Sequence, residues 1–384
     1  MLRVLALEPY YGGSHRAFLD GWSSPSRHAW TVLTLPAYKW KWRMRHAAVT
    51  LAEQVDRRYG GGERWDVLWC SAMLNLAELL GLVRPEVRAA LGAATVAYFH
   101  ESQFGYPARN SGERDLHFAF TNITTALAAG RVWFNSRFHR EQFFPAARAL
   151  LARMPDHQPL AALEGVAARA EVHPPGVNIL SRPARRRPGP LRILWAARWE
   201  HDKNPEAFFA ALDRLLDEAV EFRVSVIGEQ FSESPPVFGR ARQRLGDRIE
   251  RWGFQANRHE YEAALRDADV LVSTADHEFF GISVVEAIGA GAYPLLPRRL
   301  SYPELLEGVD RPEDFLYDGR PQALADRLAR LADRLARGDL WAGDPRRALR
   351  AAARFSWERV APALDDALEA AAQGGAAGLP PRAE

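Results

Sequence analysis

The 384 residues carry 50 Lys and Arg against 48 Asp and Glu, a net charge of +2, so nucleic-acid binding driven by overall charge is excluded and would need a local patch. With 47% hydrophobic and 26% charged residues the composition is that of a globular protein, long enough for two domains. The single cysteine, Cys70, excludes an intrachain disulfide and fits a reducing, cytoplasmic setting, and no apolar run approaches the length of a membrane span.

Short apolar runs at residues 4–7, 31–35, 67–70, 95–99 and 132–134 read as strands, with helical patterns such as 47–58 and 74–82 between them. The alternation resumes with strand-type runs at 192–196, 223–227, 249–252, 270–273 and 293–296. Alternating strands and helices imply an α/β fold of parallel sheets covered on both faces. Between the two sets lies a stretch rich in proline and arginine, so the expected organisation is one Rossmann-like domain at 1–181, a linker at 182–190 and a second Rossmann-like domain at 191–355. A last helix is expected at 356–373, crossing back to the first domain, and a loose tail at 374–384. Ligands of such domains bind at the carboxyl ends of the strands.

Taken along the chain, the first chemical signal is Gly12-Gly13 between a strand and a helix start, followed by His15. Paired glycines let backbone approach a ligand, but this is not the Gly-x-Gly-x-x-Gly pattern of a nicotinamide site. Next, Lys39, Trp40, Lys41, Trp42, Arg43, Met44 and Arg45 interleave cations with apolar groups. Such a segment is either a half-buried element with a solvated basic face, or a platform where cations meet phosphates and indoles stack on bases. His100 closes a strand, Gln103 and Tyr106 follow it, and Arg114 and Asn122 sit on an expected helix; Arg114 is either a surface ion-pair residue or an acceptor contact.

In the second half Arg198 follows a strand and Lys203 precedes a helix, so both cations can face the negative charge that builds on a departing diphosphate. The segment from Asp276 to Ala287 reads as strand end, loop and helix start. Its helix N-terminus offers free N–H groups to a phosphate near Phe280, Gly281, Ile282 and Ser283, while Glu278 and Glu286 on either side can accept hydroxyls. A nucleotide sugar has that layout. Asp267 and Asp269 precede a strand, and neither His100-Glu101 nor His277-Glu278 has the second histidine of a zinc motif, so no catalytic metal and no cofactor are expected.

Glu278-x7-Glu286 around Phe-Gly-Ile, with the Arg198-x4-Lys203 pair, resembles the donor site of family-4 retaining glycosyltransferases of the GT-B fold. The resemblance implies that Glu278 contacts the transferred sugar, Glu286 the ribose and the Gly281–Ser283 backbone the diphosphate. Gly12, Gly13 and His100 would then lie at the donor sugar. Together with Lys-Trp-x-Trp-Arg, Tyr-Phe-His-Glu-x-Gln-x-x-Tyr-Pro and Arg-Trp-Glu-His-Asp-Lys-x-Pro-Glu, the motif order is similar to the tRNA-queuosine α-mannosyltransferases across roughly residues 4–305. That resemblance implies transfer of mannose from GDP-mannose to queuosine of tRNA-Asp, with tRNA contacts at Lys39–Arg45 and acceptor contacts at Gln103, Tyr106, Arg114 and Asn122. The alternatives are a family-4 enzyme acting on a lipid, polysaccharide or small molecule, and an RNA-binding protein on the same scaffold. Retention in this family needs no protein nucleophile, because the donor phosphate can take the acceptor proton.

Overall fold

The structure is a computed structural model and describes residues 1–91, 94–104, 116–180, 188–230 and 234–375. Two six-stranded parallel sheets carry it, in the order β2-β1-β3-β4-β5-β6 and β12-β11-β10-β7-β8-β9. The first is built from β1 (Arg3–Tyr11), β2 (Ala29–Pro36), β3 (Val67–Ser71), β4 (Thr95–Phe99), β5 (Arg131–Phe134) and β6 (Ala170–Val172). The second comprises β7 (Leu191–Ala196), β8 (Phe222–Ile227), β9 (Ile249–Gly253), β10 (Val270–Val272), β11 (Tyr293–Pro297) and β12 (Leu316–Tyr317). The chain divides into two compact units, Met1–Gly176 with Trp357–Glu384, and Val177–Ser356.

In the first unit the central strands β3 and β4 are buried at every position, as expected for strands covered on both faces. One face packs on Leu51, Val55, Leu79, Ile123 and Phe143. The other packs on Phe18, Trp22, Leu364 and Leu368, the last two from the helix Trp357–Gly375. Asp365 of that helix is buried and accepts bonds from Trp22 Nε1 at 2.8 Å, the Ser26 hydroxyl at 2.8 Å and the Arg27 N–H at 2.9 Å. Gly21 and Gly176 both lack a side chain where Trp357 lies, since a Cβ on either would sit 2.2 Å from its ring. This helix reaches Gly375, so Gly374 is helical and not part of a loose tail.

Strand order sets where ligands can approach. From β1 the chain passes to β2 on one side and later to β3 on the other, and from β7 it passes to β8 while β10 lies opposite. Each reversal opens a crevice at the strands' carboxyl ends, the usual ligand position in such sheets. In the first unit the β1/β3 reversal presents Glu8 and Ser71, and in the second the β7/β10 reversal presents Arg198 and the loop beyond Val272.

Candidate functional site

In the second unit the loop after β10 is fixed to the turn after β7. The Thr274 hydroxyl donates to the Lys203 carbonyl at 2.8 Å, and the Asp276 and His277 N–H groups donate to the Asp202 carbonyl at 2.8 and 3.2 Å. Arg299 braces the loop from the other side through the Thr274 and Ala275 carbonyls, both at 3.0 Å. This brings Lys203 to Glu278: the ammonium lies 3.3 Å from Glu278 Oε2, 2.7 Å from the His277 carbonyl and 3.2 Å from Asp202 Oδ2. Glu278 also accepts the Phe279 and Phe280 N–H groups at 3.1 and 3.4 Å. Burial pushes its pKa up, but Lys203 and the Phe280 N–H outweigh that and hold the carboxyl below its usual value. Burial and the nearby Lys203 charge push His277 down to about 4, so it is neutral at pH 7.

Arg198 pairs with Glu200 at 2.8 Å, and 46% of its side chain is exposed. Gly281 caps the helix Ile282–Gly289 with φ 100°, a left-handed conformation in which a β-carbon is strained. Ser283 donates its hydroxyl to the Ala196 carbonyl at 3.0 Å, tying the helix start to β7, and Phe280 is buried against Phe355 at 5.1 Å. Ile282 is half-buried. Glu286 is buried and bonded to Arg258 at 2.8 Å and to the Tyr261 hydroxyl at 2.7 Å, two partners the sequence reading missed. Burial, followed by the Glu286 charge, holds the Tyr261 phenol well above its ordinary value, so it remains a donor. Asp267 and Asp269 are absorbed by the scaffold, through Arg251 at 2.8 Å and the Arg192 N–H at 2.9 Å.

In the first unit Gly12 is the extended residue before the helix Gly13–Ser23, and its bare α-carbon packs on Ala37, 2.4 Å from where a Cβ would be. Gly13 has φ 51° and faces open space. Beside them lies a cluster the sequence reading did not foresee. Buried Glu8 accepts the Ser71 hydroxyl at 3.0 Å and the Tyr10 N–H at 2.8 Å, and its second oxygen lies 3.1 Å from His15 Nδ1. His15 Nε2 is 3.2 Å from both oxygens of Glu101. Burial opposes the His15 charge, yet Glu8 and Glu101 outweigh it and raise its pKa well above the ordinary value. The His100 ring lies 4.1 Å from that of His15, and burial, then the His15 charge, push it well down. His100 Nε2 is buried without a hydrogen-bond partner among the described residues. Ligand-type atoms of Glu8, His15 and His100 lie within 4.8 Å of one another. Since both nitrogens of His15 already face carboxylates, the cluster is suited to holding a proton on that ring.

Residues 40–45 open the helix Trp40–Gly60, so the extended form is not the one adopted. Lys39, Lys41 and Arg45 are exposed and Arg43 is half-buried, its Nε on the Pro36 carbonyl at 2.9 Å. Trp40 is half-buried against Phe118 at 5.2 Å, beside Met44 and Met73. Trp42 is 61% exposed and stacks on His46 at 4.8 Å, and Tyr38 is 63% exposed, so neither Trp42 nor Tyr38 is a core residue. Asn122, expected as an acceptor contact, is buried, with its amide accepting the Gln103 N–H at 3.0 Å and donating to the Ala72 carbonyl at 3.2 Å. It acts on Gln103, which is half-buried, by fixing its backbone. Tyr106 and Arg114 lie outside the described residues.

Residues 3–177 match the family model described as tRNA-queuosine alpha-mannosyltransferase N-terminal, and residues 190–334 match glycosyl transferases group 1. The chain is 34% identical over 327 residues to tRNA-queuosine alpha-mannosyltransferase of Drosophila melanogaster, covering 82% of this chain and 83% of the relative. It is 27% identical to a GDP-mannose-dependent alpha-(1-6)-phosphatidylinositol dimannoside mannosyltransferase of Mycobacterium tuberculosis (strain ATCC 25177 / H37Ra), over half of each chain. Among solved structures, sucrose-phosphate synthase of Thermosynechococcus elongatus superposes with TM-score 0.70 at 16% identity, covering 98% of this chain and all of that one. Anabaena HepE in complex with UDP superposes with TM-score 0.66 at 16% identity, covering 96% and 100%. At such identities these structures speak for the fold. Two parallel α/β units, matched in their second half by the glycosyl transferases group 1 model and superposing on these structures, define a glycosyltransferase of the GT-B fold. The chain belongs to the tRNA-queuosine α-mannosyltransferase family.

Proposed function

We propose that this protein transfers mannose from GDP-mannose to the queuosine at the wobble position of tRNA-Asp, retaining the configuration at the anomeric carbon and using no metal. The observation that carries the donor half is the meeting of Lys203 with Glu278 at 3.3 Å, at the strand reversal and beside the helix start at Gly281. A cation, a carboxylate and free helix N–H groups at one point match a sugar diphosphate: Lys203 and Arg198 face the leaving diphosphate, Ile282 and Ser283 N–H groups its oxygens, and Glu278 the sugar hydroxyls. Phe280 supports the loop from beneath. Glu286 accepts from the ribose. In the first unit, Gly12, Gly13 and His100 are assigned to donor binding by the family resemblance, and His100 Nε2, buried without a partner among the described residues, is open to a ligand hydroxyl.

The acceptor half rests on the family match and on the exposed face at residues 38–45. Lys39, Lys41 and Arg45 meet tRNA phosphates, Trp42 stacks on an unpaired base, and Trp40 and Arg43 hold the helix start. Gln103, Tyr106 and Arg114 are assigned to the queuosine side. The acceptor hydroxyl gives its proton to a donor phosphate oxygen as the C–O bond forms on the face the diphosphate leaves. The donor assignment is tested by offering radiolabelled GDP-mannose and UDP-glucose in parallel with queuosine-containing tRNA. Label should enter tRNA from GDP-mannose, and incorporation from UDP-glucose alone would refute it.

A further inference from the structure

Glu286 sits in the second turn of the helix Ile282–Gly289 and is only 6% exposed. Each of its oxygens already holds one donor, Arg258 Nη1 on Oε1 at 2.8 Å and the Tyr261 hydroxyl on Oε2 at 2.7 Å. An ionised carboxylate has about four acceptor positions, so two hydroxyls can still be taken. Both donors come from the helix Arg258–Asp267, where residues three apart share a face. That helix is fixed at its start by a reciprocal cap: Asn257 Oδ1 accepts the Glu260 N–H at 2.9 Å, and Glu260 Oε2 accepts the Ala256 N–H at 3.1 Å. Arg258 is braced in turn by Glu262 at 2.8 Å, and Glu262 by Arg266 at 3.1 Å. The result is a chain of charge-assisted bonds that ends on Glu286 and fixes the direction of its remaining lone pairs.

Stability alone does not account for this arrangement. Arg258 is 48% exposed, and a pair with one partner in water contributes little to folding, while burying a glutamate is costlier than burying an apolar residue of similar size. Holding a carboxylate in one orientation before a ligand arrives does have a benefit, because the side-chain ordering is then not charged against binding.

We infer that Arg258 and Tyr261 are positioning residues that aim Glu286 at the vicinal 2′- and 3′-hydroxyls of the donor nucleotide, making this site selective for ribonucleotides over deoxyribonucleotides. The inference rests on the reading that Glu286 faces the ribose. The 384-residue protein is titrated calorimetrically with GDP, 2′-deoxy-GDP and 2′,3′-dideoxy-GDP. The parent should lose about tenfold in affinity per hydroxyl removed, the scale of one hydrogen bond to a charged group, and Glu286→Ala should abolish the difference. Tyr261→Phe and Arg258→Gln should bind GDP about tenfold more weakly than the parent while binding 2′,3′-dideoxy-GDP as the parent does, and Arg258→Lys should recover part of the loss. A purely structural role would weaken all three ligands alike and would overturn the inference. If the parent does not distinguish the ligands, or Glu286→Ala still does, the ribose reading fails and the inference with it. If Glu286→Ala behaves as expected but Tyr261→Phe and Arg258→Gln keep the parent's ratio, the positioning role alone is refuted. Should Arg258→Gln fail to fold, Tyr261→Phe, which removes one hydroxyl, decides the matter.

Discussion

Arg198 and Lys203 carry the same charge in opposite settings, and their variants should therefore fail in different ways. Arg198 is half in water and paired with Glu200, so Arg198→Ala should keep the parent's melting temperature and reduce kcat by about two orders of magnitude, the scale for removing a group that stabilises transition-state charge. Lys203 lies among Asp202, Glu278 and the His277 carbonyl, and Asp202 is buried, so Lys203→Ala should also destabilise the fold by about 3–5 kcal/mol, as when one partner of a buried ion pair is removed. Thermal melts read beside single-turnover rates separate the two effects, and equal melts for both variants would contradict this account. His15 gives a test in pH. Its folded pKa is raised by Glu8 and Glu101, so the fold binds this proton more tightly than the unfolded chain does. The stabilisation is then complete below about pH 6.5, the unfolded value, and fades as pH rises through the raised folded value. The depressed pKa of His100 acts on the other side, penalising the fold only as pH falls below about 6.5. At pH 6.5 His15→Gln should be less stable than the parent by about 3 kcal/mol, and urea melts at rising pH should show the gap closing. A gap that widens with pH would mean that His15 is neutral in the fold.

At the scale of elements, the helix Trp40–Gly60 carries the least familiar part of the account. Lys39 enters it in a left-handed conformation with no side-chain cap, so neither a Ser nor an Asp marks its start and the pattern becomes legible only from about residue 47. Its first turn is settled by packing instead, with Trp40 and Met44 against Phe118 and Met73. A Lys39/Lys41/Arg45 triple alanine variant should fold, bind GDP like the parent and bind tRNA more weakly, with the log-log salt slope flattened by somewhat under one unit for each phosphate no longer neutralised. Trp42→Ala should lower tRNA affinity with little change in that slope, by about 1–3 kcal/mol if one base stacks there. Filter binding across a salt series checks both, and parent-like binding by the triple variant would end the platform assignment. Other elements were legible because parallel strands buried on both faces read as unbroken apolar runs, as in β3 and β4. Strands β6 and β12, three and two residues long, carry too little pattern to be seen.

For the whole molecule, what the sequence shows and what it hides divide along the length scale of contacts. Arg198, Lys203, Glu278 and Glu286 stand out because strand ends and helix starts are local signals. The bonds from Arg258 and Tyr261 to Glu286 span 28 and 25 positions, and Glu8 meets Ser71 across 63, so only the sheet order brings these groups together. If Arg198 and Lys203 supply the positive charge that an ion would otherwise bring to a sugar diphosphate, turnover in excess chelator should match turnover without it. Activity abolished by chelator and restored by magnesium or manganese would contradict this and direct attention to Glu8, His15 and His100. Transfer to queuosine can be read end to end by incubating the protein with GDP-mannose and tRNA-Asp that carries queuosine, digesting the tRNA to nucleosides and measuring their masses. Queuosine should be converted to a species heavier by one hexose residue, and tRNA-Asp with guanosine at the wobble position should be unchanged. A queuosine peak left intact while GDP-mannose is consumed, or hexose found on any other nucleoside, would contradict it.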